Sequence, residues 1–218
     1  MHRLKMTVLL LVLLGVASCR QPAQLASPPA SVTPDGAHAV AGDTDAFDFS
    51  AESPARWATW SGSFVVAPSA DEAAGAEICA ESQKAASVLA LGERLYANAD
   101  VSALVRVKPT GLDRIVGIGL RGTDARAYLA MVESYGGFVR IWRMEPERLV
   151  KLAEGRAEVP NDKLINLRFV AIGNALDAWV DGLAVADAID DRYERGLPVL
   201  WVGKNSSGCF ANVTVNEH

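Results

Sequence analysis

Short runs of alternating apolar and polar residues recur along the chain from residue 47 onward. The clearest covers residues 100–108, where Val101, Ala103, Val105 and Val107 fall on one face and polar side chains take most of the other. This period of two is typical of a half-buried β-strand. Comparable runs lie at residues 63–67, 114–122, 126–133, 137–143, 164–172, 176–181, 197–203 and 209–215.

Turn signals separate these runs and favour antiparallel pairing. Asp181 and Gly182 stand between two short apolar runs, a pattern that indicates a β-hairpin. Residues 71–77 and 147–156 are compatible with a helical turn, but no long segment has a helical period. Many short strands without crossover helices predict an all-β fold, an antiparallel two-sheet sandwich or a barrel.

The N-terminus has the pattern of an export signal. Residues 1–5 are short and positively charged, and residues 6–14 form an apolar core of nine residues. This core is too short for a permanent membrane helix, which needs about 20 apolar residues.

Residues 16–19 read Val-Ala-Ser-Cys and resemble the lipobox of bacterial lipoproteins. The resemblance implies a signal peptide at residues 1–18 and fatty-acyl chains on Cys19 that anchor the protein to the membrane. An ordinary signal followed by a chance cysteine is the alternative. Arg20, in place of an aspartate, implies the outer membrane if the source is Gram-negative.

The segment after Cys19 differs in composition from the rest of the chain. Residues 19–45 are rich in Pro, Ala, Ser and Gly and lack aromatic side chains, which predicts a flexible lipid-anchored tether. The folded domain is expected at residues 46–218.

The charge of the chain limits its partners. Without residues 1–18 the chain has 19 basic and 26 acidic residues, a formal charge of −7, and it has no basic run. Nucleic acid is therefore not an expected partner, because phosphate binding needs a basic face.

The order of the predicted elements resembles the concanavalin-A-like jelly roll. The matching segments are 47–49, Trp57, 60–64, 98–108, 117–121, 127–129, 139–142, 166–168, 178–182, 196–203 and 211–215. The likeness is greatest to the laminin-G-like and 3-keto-disaccharide-hydrolase-like branch. It implies an antiparallel two-sheet jelly-roll sandwich, a fold shared by glycan-cleaving enzymes, lectin-like modules and structural domains.

Catalytic chemistry finds little support in the sequence. Glycoside cleavage normally needs two carboxylates flanking the bond, but the Glu-x-Asp-x-x-Glu run of laminarinase-type enzymes is missing. Glu77 and Glu81 are the nearest pair, and we interpret them as a solvated strand face. His218 is the single histidine of the predicted domain, so neither a zinc site nor a Ser-His-Asp triad is predicted.

Aromatic and polar residues suggest a glycan-binding surface. Alternation places Arg140 and Trp142 on one face of their strand, and sugar sites combine aromatic rings with polar groups. If the concave sheet also carries Tyr128 and Trp179, the four residues form a ligand face. The alternative is that these rings belong to the core, as aromatic residues in sandwiches usually do.

The pairing of the two cysteines in the predicted domain is left open. Cys79 and Cys209 can form a disulfide in an oxidising compartment, yet alternation places Cys209 with Ala211, Val213 and Val215 and Cys79 with two glutamates. A β-bulge would reconcile the two cysteines.

No cofactor is predicted, although calcium remains an alternative because it supports some laminin-G-like domains. The candidate aspartates match no known calcium loop, and we interpret them as turn and hairpin residues; they are Asp177, Asp181, Asp187, Asp190 and Asp191.

We therefore expect a lipid-anchored cell-envelope protein with a non-catalytic sandwich that binds a glycan or an envelope protein. The alternative is a carbohydrate-active enzyme of the 3-keto-disaccharide-hydrolase-like type.

Overall fold

The computed structural model describes residues 43–49 and 56–218, which form an all-β structure. The strands are β1 (Thr44–Phe47), β2 (Trp57–Ser61), β3 (Val65–Pro68), β4 (Ala76–Ser82), β5 (Ser87–Leu91), β6 (Ala99–Val107), β7 (Ile115–Thr123), β8 (Arg126–Glu133), β9 (Phe138–Glu145), β10 (Arg148–Arg156), β11 (Leu164–Ile172), β12 (Ala175–Val180), β13 (Leu183–Ile189), β14 (Leu197–Val202) and β15 (Ser206–Glu217). A 3₁₀ turn, Glu72–Ala74, precedes β4.

The strands form two antiparallel sheets. The eight-stranded sheet has the order β13-β12-β11-β6-β15-β4-β3, with β1 paired to the second half of β15. The seven-stranded sheet has the order β10-β9-β8-β7-β14-β5-β2. The predicted antiparallel two-sheet jelly-roll sandwich is confirmed.

Alternate residues of both sheets fill the space between them. In β6 the predicted inward set, including Val101 and Val105, is fully buried, and Phe210 and Phe169 join it from β15 and β11. Burying each such side chain contributes about 1.5–3 kcal/mol, so this core supplies the main favourable term in folding.

The expected hairpin between two apolar runs is present. Asp181 and Gly182 link β12 to β13 with φ values of 48° and 80°. Positive φ at both central residues is what the tight hairpin turn requires, and Asp and Gly tolerate it well.

The possible helical turn at residues 147–156 is wrong, because this segment forms edge strand β10. A bulge between Lys151 and Ala153 shifts the register against β9. The bulge breaks the period of two, and the apolar pairs on its two sides then imitate helical spacing.

The N-terminal boundary differs slightly from the expectation. Strand β1 begins at Thr44, so the last residues assigned to the tether already pair with β15. The signal peptide, Cys19 and most of the tether lie outside the described residues. No helix in the described part of the chain is long and apolar enough to cross a membrane.

Candidate functional site

The outer face of the seven-stranded sheet carries a second apolar cluster, separate from the core between the sheets. It contains Val88, Ala90, Ala127, Leu129, Met131, Met144, Val199 and Trp201, with Trp60, Trp142 and Leu197 packed against it. A sheet face turned to solvent normally carries polar residues. The eight clustered side chains are at most 9 % exposed, so they form a second, smaller core on the outer side of this sheet; we call it the apolar outer face.

A cavity of about 570 Å³ opens on the apolar outer face. Trp60, Val88, Met144 and Trp201 form its apolar wall, and we call it the tryptophan cavity. Its volume lies in the range of small-molecule sites, about 300–1,000 Å³.

Trp60 reaches this cavity from the edge strand β2. It occupies a bulge between Thr59 and Ser61, where the pairing with β5 shifts by one residue. Its ring extends across β5 and β14 towards β7, since a Cβ placed on Gly122 would lie 3.1 Å from the ring carbon Cη2. The missing side chain at Gly122 therefore makes room for the indole.

A second glycine in β7 lets the floor of the face close tightly. A Cβ on Gly119 would lie 2.6 Å from Leu129 Cδ2 and 2.8 Å from Val199 Cγ2. These two side chains meet over the backbone of β7, which leaves a continuous apolar floor beside the tryptophans.

Polar groups surround the tryptophan cavity at the β7–β8 and β9–β10 turns. Asp124 and Glu145 line it there, and Thr59 and Ser61 line it on β2. Glu145 accepts hydrogen bonds from Arg143 Nε at 3.0 Å and from Arg148 Nε at 2.7 Å. The hydrogen bond from Arg148 is the main cause of a lowered pKa of Glu145, so this carboxylate stays charged.

Two of the four predicted ligand residues lie on the apolar outer face. Trp142 lies opposite Leu129 of β8 and is partly buried. Arg140 is held by Glu133 and, through Nε at 2.6 Å, by Glu154. Its charge is therefore already balanced by two carboxylates.

The condition for a four-residue ligand face is not met, because Tyr128 and Trp179 do not lie on the apolar outer face. Tyr128 has 0 % exposure and points between the sheets. Trp179 lies on β12 of the other sheet, opposite Arg168 of β11. Tyr128 was misplaced because both faces of β8 are buried, so alternation alone does not tell which of them is the outer one.

Tyr128 instead belongs to a buried polar network at one end of the sandwich. Its hydroxyl donates to Asp190 Oδ1 and accepts the backbone N–H of Tyr193 at 3.0 Å. Arg143 forms an ion pair with Asp190. Burial opposes ionisation of Asp190, yet hydrogen bonds from Tyr128 and the Arg192 N–H, with the charge of Arg143, lower its pKa.

The sequence pattern missed Trp60 and Trp201 as site residues. In β14 Leu197, Val199 and Trp201 share one face, while the alternate residues are equally apolar. A strand that is apolar on both sides is usually buried on both sides, so this pattern was the signal in the sequence that the outer face of β14 is covered. The bulge at Trp60 has no comparable signature in the sequence.

The structure joins Cys79 and Cys209 in a disulfide between β4 and β15, with Cα atoms 4.0 Å apart. The alternation argument against pairing fails because β15 is irregular between Ala211 and Thr214, where Asn212 has a φ of 48°. This bulge places Cys209 on the outer face, beside Cys79, although Val213 after it points into the core.

Glu77 does not belong to a solvated strand face, whereas Glu81 is exposed. Glu77 is 3 % exposed and forms an ion pair with Arg106 Nη2 at 2.8 Å. Arg106 also donates to the carbonyl of Asp162 at 2.8 Å. Glu77 therefore has a structural role next to the disulfide.

Within the described ranges, Glu77, Cys79 and Cys209 are the metal-type side chains that converge. Both sulfurs are disulfide-bonded and offer no thiolate to a metal. Among the described residues the candidate calcium aspartates form no group of three: Asp177 and Asp187 lie opposite each other on β12 and β13. Asp181 accepts the Asn166 N–H at 2.8 Å, and Asp190 is bound in the Tyr128 network.

Comparisons with known proteins bear on the fold. The sequence matches no protein-family model and no curated protein. A carbohydrate-binding module, CBM66 from Bacillus subtilis, superposes with a TM-score of 0.63 at 20% identity, over 74% of this chain and 95% of that chain.

Two further solved structures are similar. The Crh5 transglycosylase has a TM-score of 0.56 at 15% identity, over 82% of this chain and 85% of its own. The other structure is domain 4 of AbnA, a GH43 extracellular arabinanase from Geobacillus stearothermophilus, in complex with arabinotriose. It has a TM-score of 0.50 at 13% identity, over 72% of this chain and 76% of that chain. The chain thus has the galectin-like and concanavalin-A-like β-sandwich fold.

Proposed function

We propose that this protein is a lipid-anchored component of the cell envelope whose sandwich binds a glycan on the apolar outer face. The observation that carries the proposal is the tryptophan cavity, with Trp60 and Trp201 in its wall and polar groups around it.

A sugar ring has both apolar and polar surfaces. Its C–H groups pack on an aromatic ring, while its hydroxyls need hydrogen-bonding groups beside that ring. The tryptophan cavity offers both, since Thr59, Ser61, Asp124 and Glu145 border the indoles. The similarity to CBM66 and to a domain crystallised with arabinotriose supports the same interpretation.

Two carboxylates at the site lack the raised pKa of a catalytic acid. A glycosidase acid needs a raised pKa so that it can donate a proton. The pKa of Glu145 is lowered instead, chiefly by the hydrogen bond from Arg148. Glu154, near Trp142, also has a lowered pKa because Arg140 and Lys151 donate to it. The 3-keto-disaccharide-hydrolase-like alternative gains no specific support.

A glycan array of the purified full-length protein, followed by titration of each hit, tests the binding proposal. Trp60→Ala should weaken binding about tenfold, because covering about 60 Å² of apolar ring surface gives about 1.5 kcal/mol. Tyr135→Ala is the matched control, since Tyr135 is an aromatic residue with 80% exposure in the β8–β9 turn. Circular dichroism checks the folding of both variants. Equal affinity of Trp60→Ala and the wild type would contradict the proposed site.

The anchor is proposed from the Val-Ala-Ser-Cys sequence at residues 16–19. Acyl chains on Cys19 would hold the domain at the membrane, and Arg20 favours the outer membrane in a Gram-negative cell. Cys19→Ser should leave an unlipidated precursor, detected by mass spectrometry of the N-terminal peptide. A wild-type N-terminus without fatty acid would refute the anchor and leave glycan binding untouched.

A further inference from the structure

A second cavity, of about 260 Å³, adjoins the tryptophan cavity at the end of the sandwich. Arg126, Glu145, Pro146, Arg192 and Tyr193 line it, and we call it the arginine cavity. Glu145 and Pro146 also line the tryptophan cavity, so the two cavities share a border. One extended ligand can occupy both.

Three separate chain segments build the arginine cavity. Arg126 begins β8, Glu145 ends β9, and Arg192 with Tyr193 lies in the loop between β13 and β14. Tyr193 is held in place, because its hydroxyl donates to the Met144 carbonyl at 2.9 Å. The backbone that carries Arg192 is fixed as well, since the Arg192 N–H donates to Asp190 Oδ1 at 3.0 Å.

Glu145, the carboxylate that lines the arginine cavity, and the nearby Asp190 already have cationic partners. Glu145 binds Arg143 and Arg148, and Asp190 binds Arg143 and the Tyr128 hydroxyl. By contrast, the guanidinium groups of Arg126 and Arg192 form no ion pair with any carboxylate of the described residues.

The charges of both arginines act within the arginine cavity. Burial and Glu145 raise the pKa of the Tyr193 phenol, and the positive charges of Arg143, Arg126 and Arg192 oppose that rise. Both unpaired guanidinium groups therefore lie close enough to act on the hydroxyl of Tyr193.

We propose that the glycan is acidic, and that Arg126 and Arg192 bind its anionic group while the sugar chain continues into the tryptophan cavity. This inference rests on the proposed glycan-binding function. Arginine matches the planar, paired oxygens of a carboxylate, phosphate or sulfate, with which it forms charge-assisted hydrogen bonds. The shared chemistry is an anionic oxygen group, from a uronic acid or from a phosphate or sulfate ester.

The first test reads the two arginines directly. The Nε–Hε signals of the full-length ¹⁵N-labelled protein are followed by NMR during titration with galacturonate, inorganic phosphate or galactose. Galacturonate or phosphate should shift the signals of Arg126 and Arg192, whereas galactose should not. Which anion gives the larger shift indicates a uronate or an ester as the source. Unshifted signals with both anions would overturn the inference.

The second test compares polymers that differ in charge, at low salt, by calorimetric titration. The probes are polygalacturonate, its carboxyl-reduced neutral counterpart and a sulfated galactan. The double variant R126Q/R192Q should lose about tenfold in affinity for the preferred charged polymer and keep its affinity for the neutral one. R195Q is the matched control, because Arg195 is exposed in the same loop and does not line the cavity.

The outcomes distinguish failure of the acidic-ligand inference from failure of the proposed glycan binding. Equal wild-type affinity for the charged and neutral polymers would overturn the acidic ligand, while Trp60→Ala still tests glycan binding. Absence of binding to every polymer, together with an empty glycan array, would overturn both proposals. Raising the salt concentration should weaken the binding of the charged polymer to the wild type more than to R126Q/R192Q, because salt screens exposed charges. Equal salt dependence of the two proteins would count against the assignment.

Discussion

Removing the Cys79–Cys209 disulfide should lower the free energy of unfolding by about 5 kcal/mol. The bond links residues 130 positions apart. In the chain-entropy model a loop of that length removes about 17 cal/mol/K from the unfolded ensemble, which gives about 5 kcal/mol at 25 °C. Strands β4 and β15 remain paired by backbone hydrogen bonds around the cysteines, so the loss should come mainly from a freer unfolded chain.

Urea unfolding of the wild type and of Cys79→Ala/Cys209→Ala, followed by tryptophan fluorescence, measures this loss. With an m-value of about 2 kcal/mol/M, the midpoint should fall by about 2.5 M, and m should rise because the unfolded chain expands. Reductant should lower the wild-type midpoint to that of the variant and leave the variant unchanged. A difference below about 1 kcal/mol, without a change in m, would refute the entropic reasoning.

Three further changes test other parts of the structure. Glu77→Gln should cost about 3–5 kcal/mol in urea unfolding at pH 7, because Arg106 keeps a buried charge without its partner; unchanged stability would contradict a structural ion pair. Burial opposes ionisation of Asp190, but its hydrogen bonds and Arg143 lower its pKa below the ordinary 3.8. Its stabilising contribution is thus full well above pH 3.8 and is lost as the pH falls through the lowered pKa. Asp190→Asn should therefore flatten the acid limb of a Tm-against-pH curve, and an unchanged limb would argue against this carboxylate. Gly119→Ala should cost about 1–3 kcal/mol by thermal unfolding, because the added Cβ overpacks the floor of the apolar outer face.

Alternation identified the inward face correctly in strands whose two faces meet different surroundings, whereas β7, β8 and β14 are buried on both faces and were recognised only as apolar runs. Strand β6 has one face in the core and a more polar face outside, so its pattern gave the element and its inward residues correctly. Strand β5 is buried on both faces and has no period, and β10 has a bulge. Neither pattern carries the signal on which a strand prediction depends.

The sequence could predict which candidate site residues share a face only when those residues lie on the same strand. Arg140 and Trp142 share a face because they are two residues apart in a regular strand. Tyr128 and Trp179 required knowing which face of each strand is turned outward and which sheet holds it. Sheet order supplies that information, and local sequence does not contain it.

The position of β15 has a consequence for biosynthesis. This strand is the last to be synthesised among those described, yet it lies inside the eight-stranded sheet, between β6 on one side and β4 and β1 on the other. A nascent chain that stops before residue 206 therefore lacks the strand on which β1 and β4 pair. The eight-stranded sheet can therefore be completed only after β15 has left the ribosome, however early the other strands are synthesised.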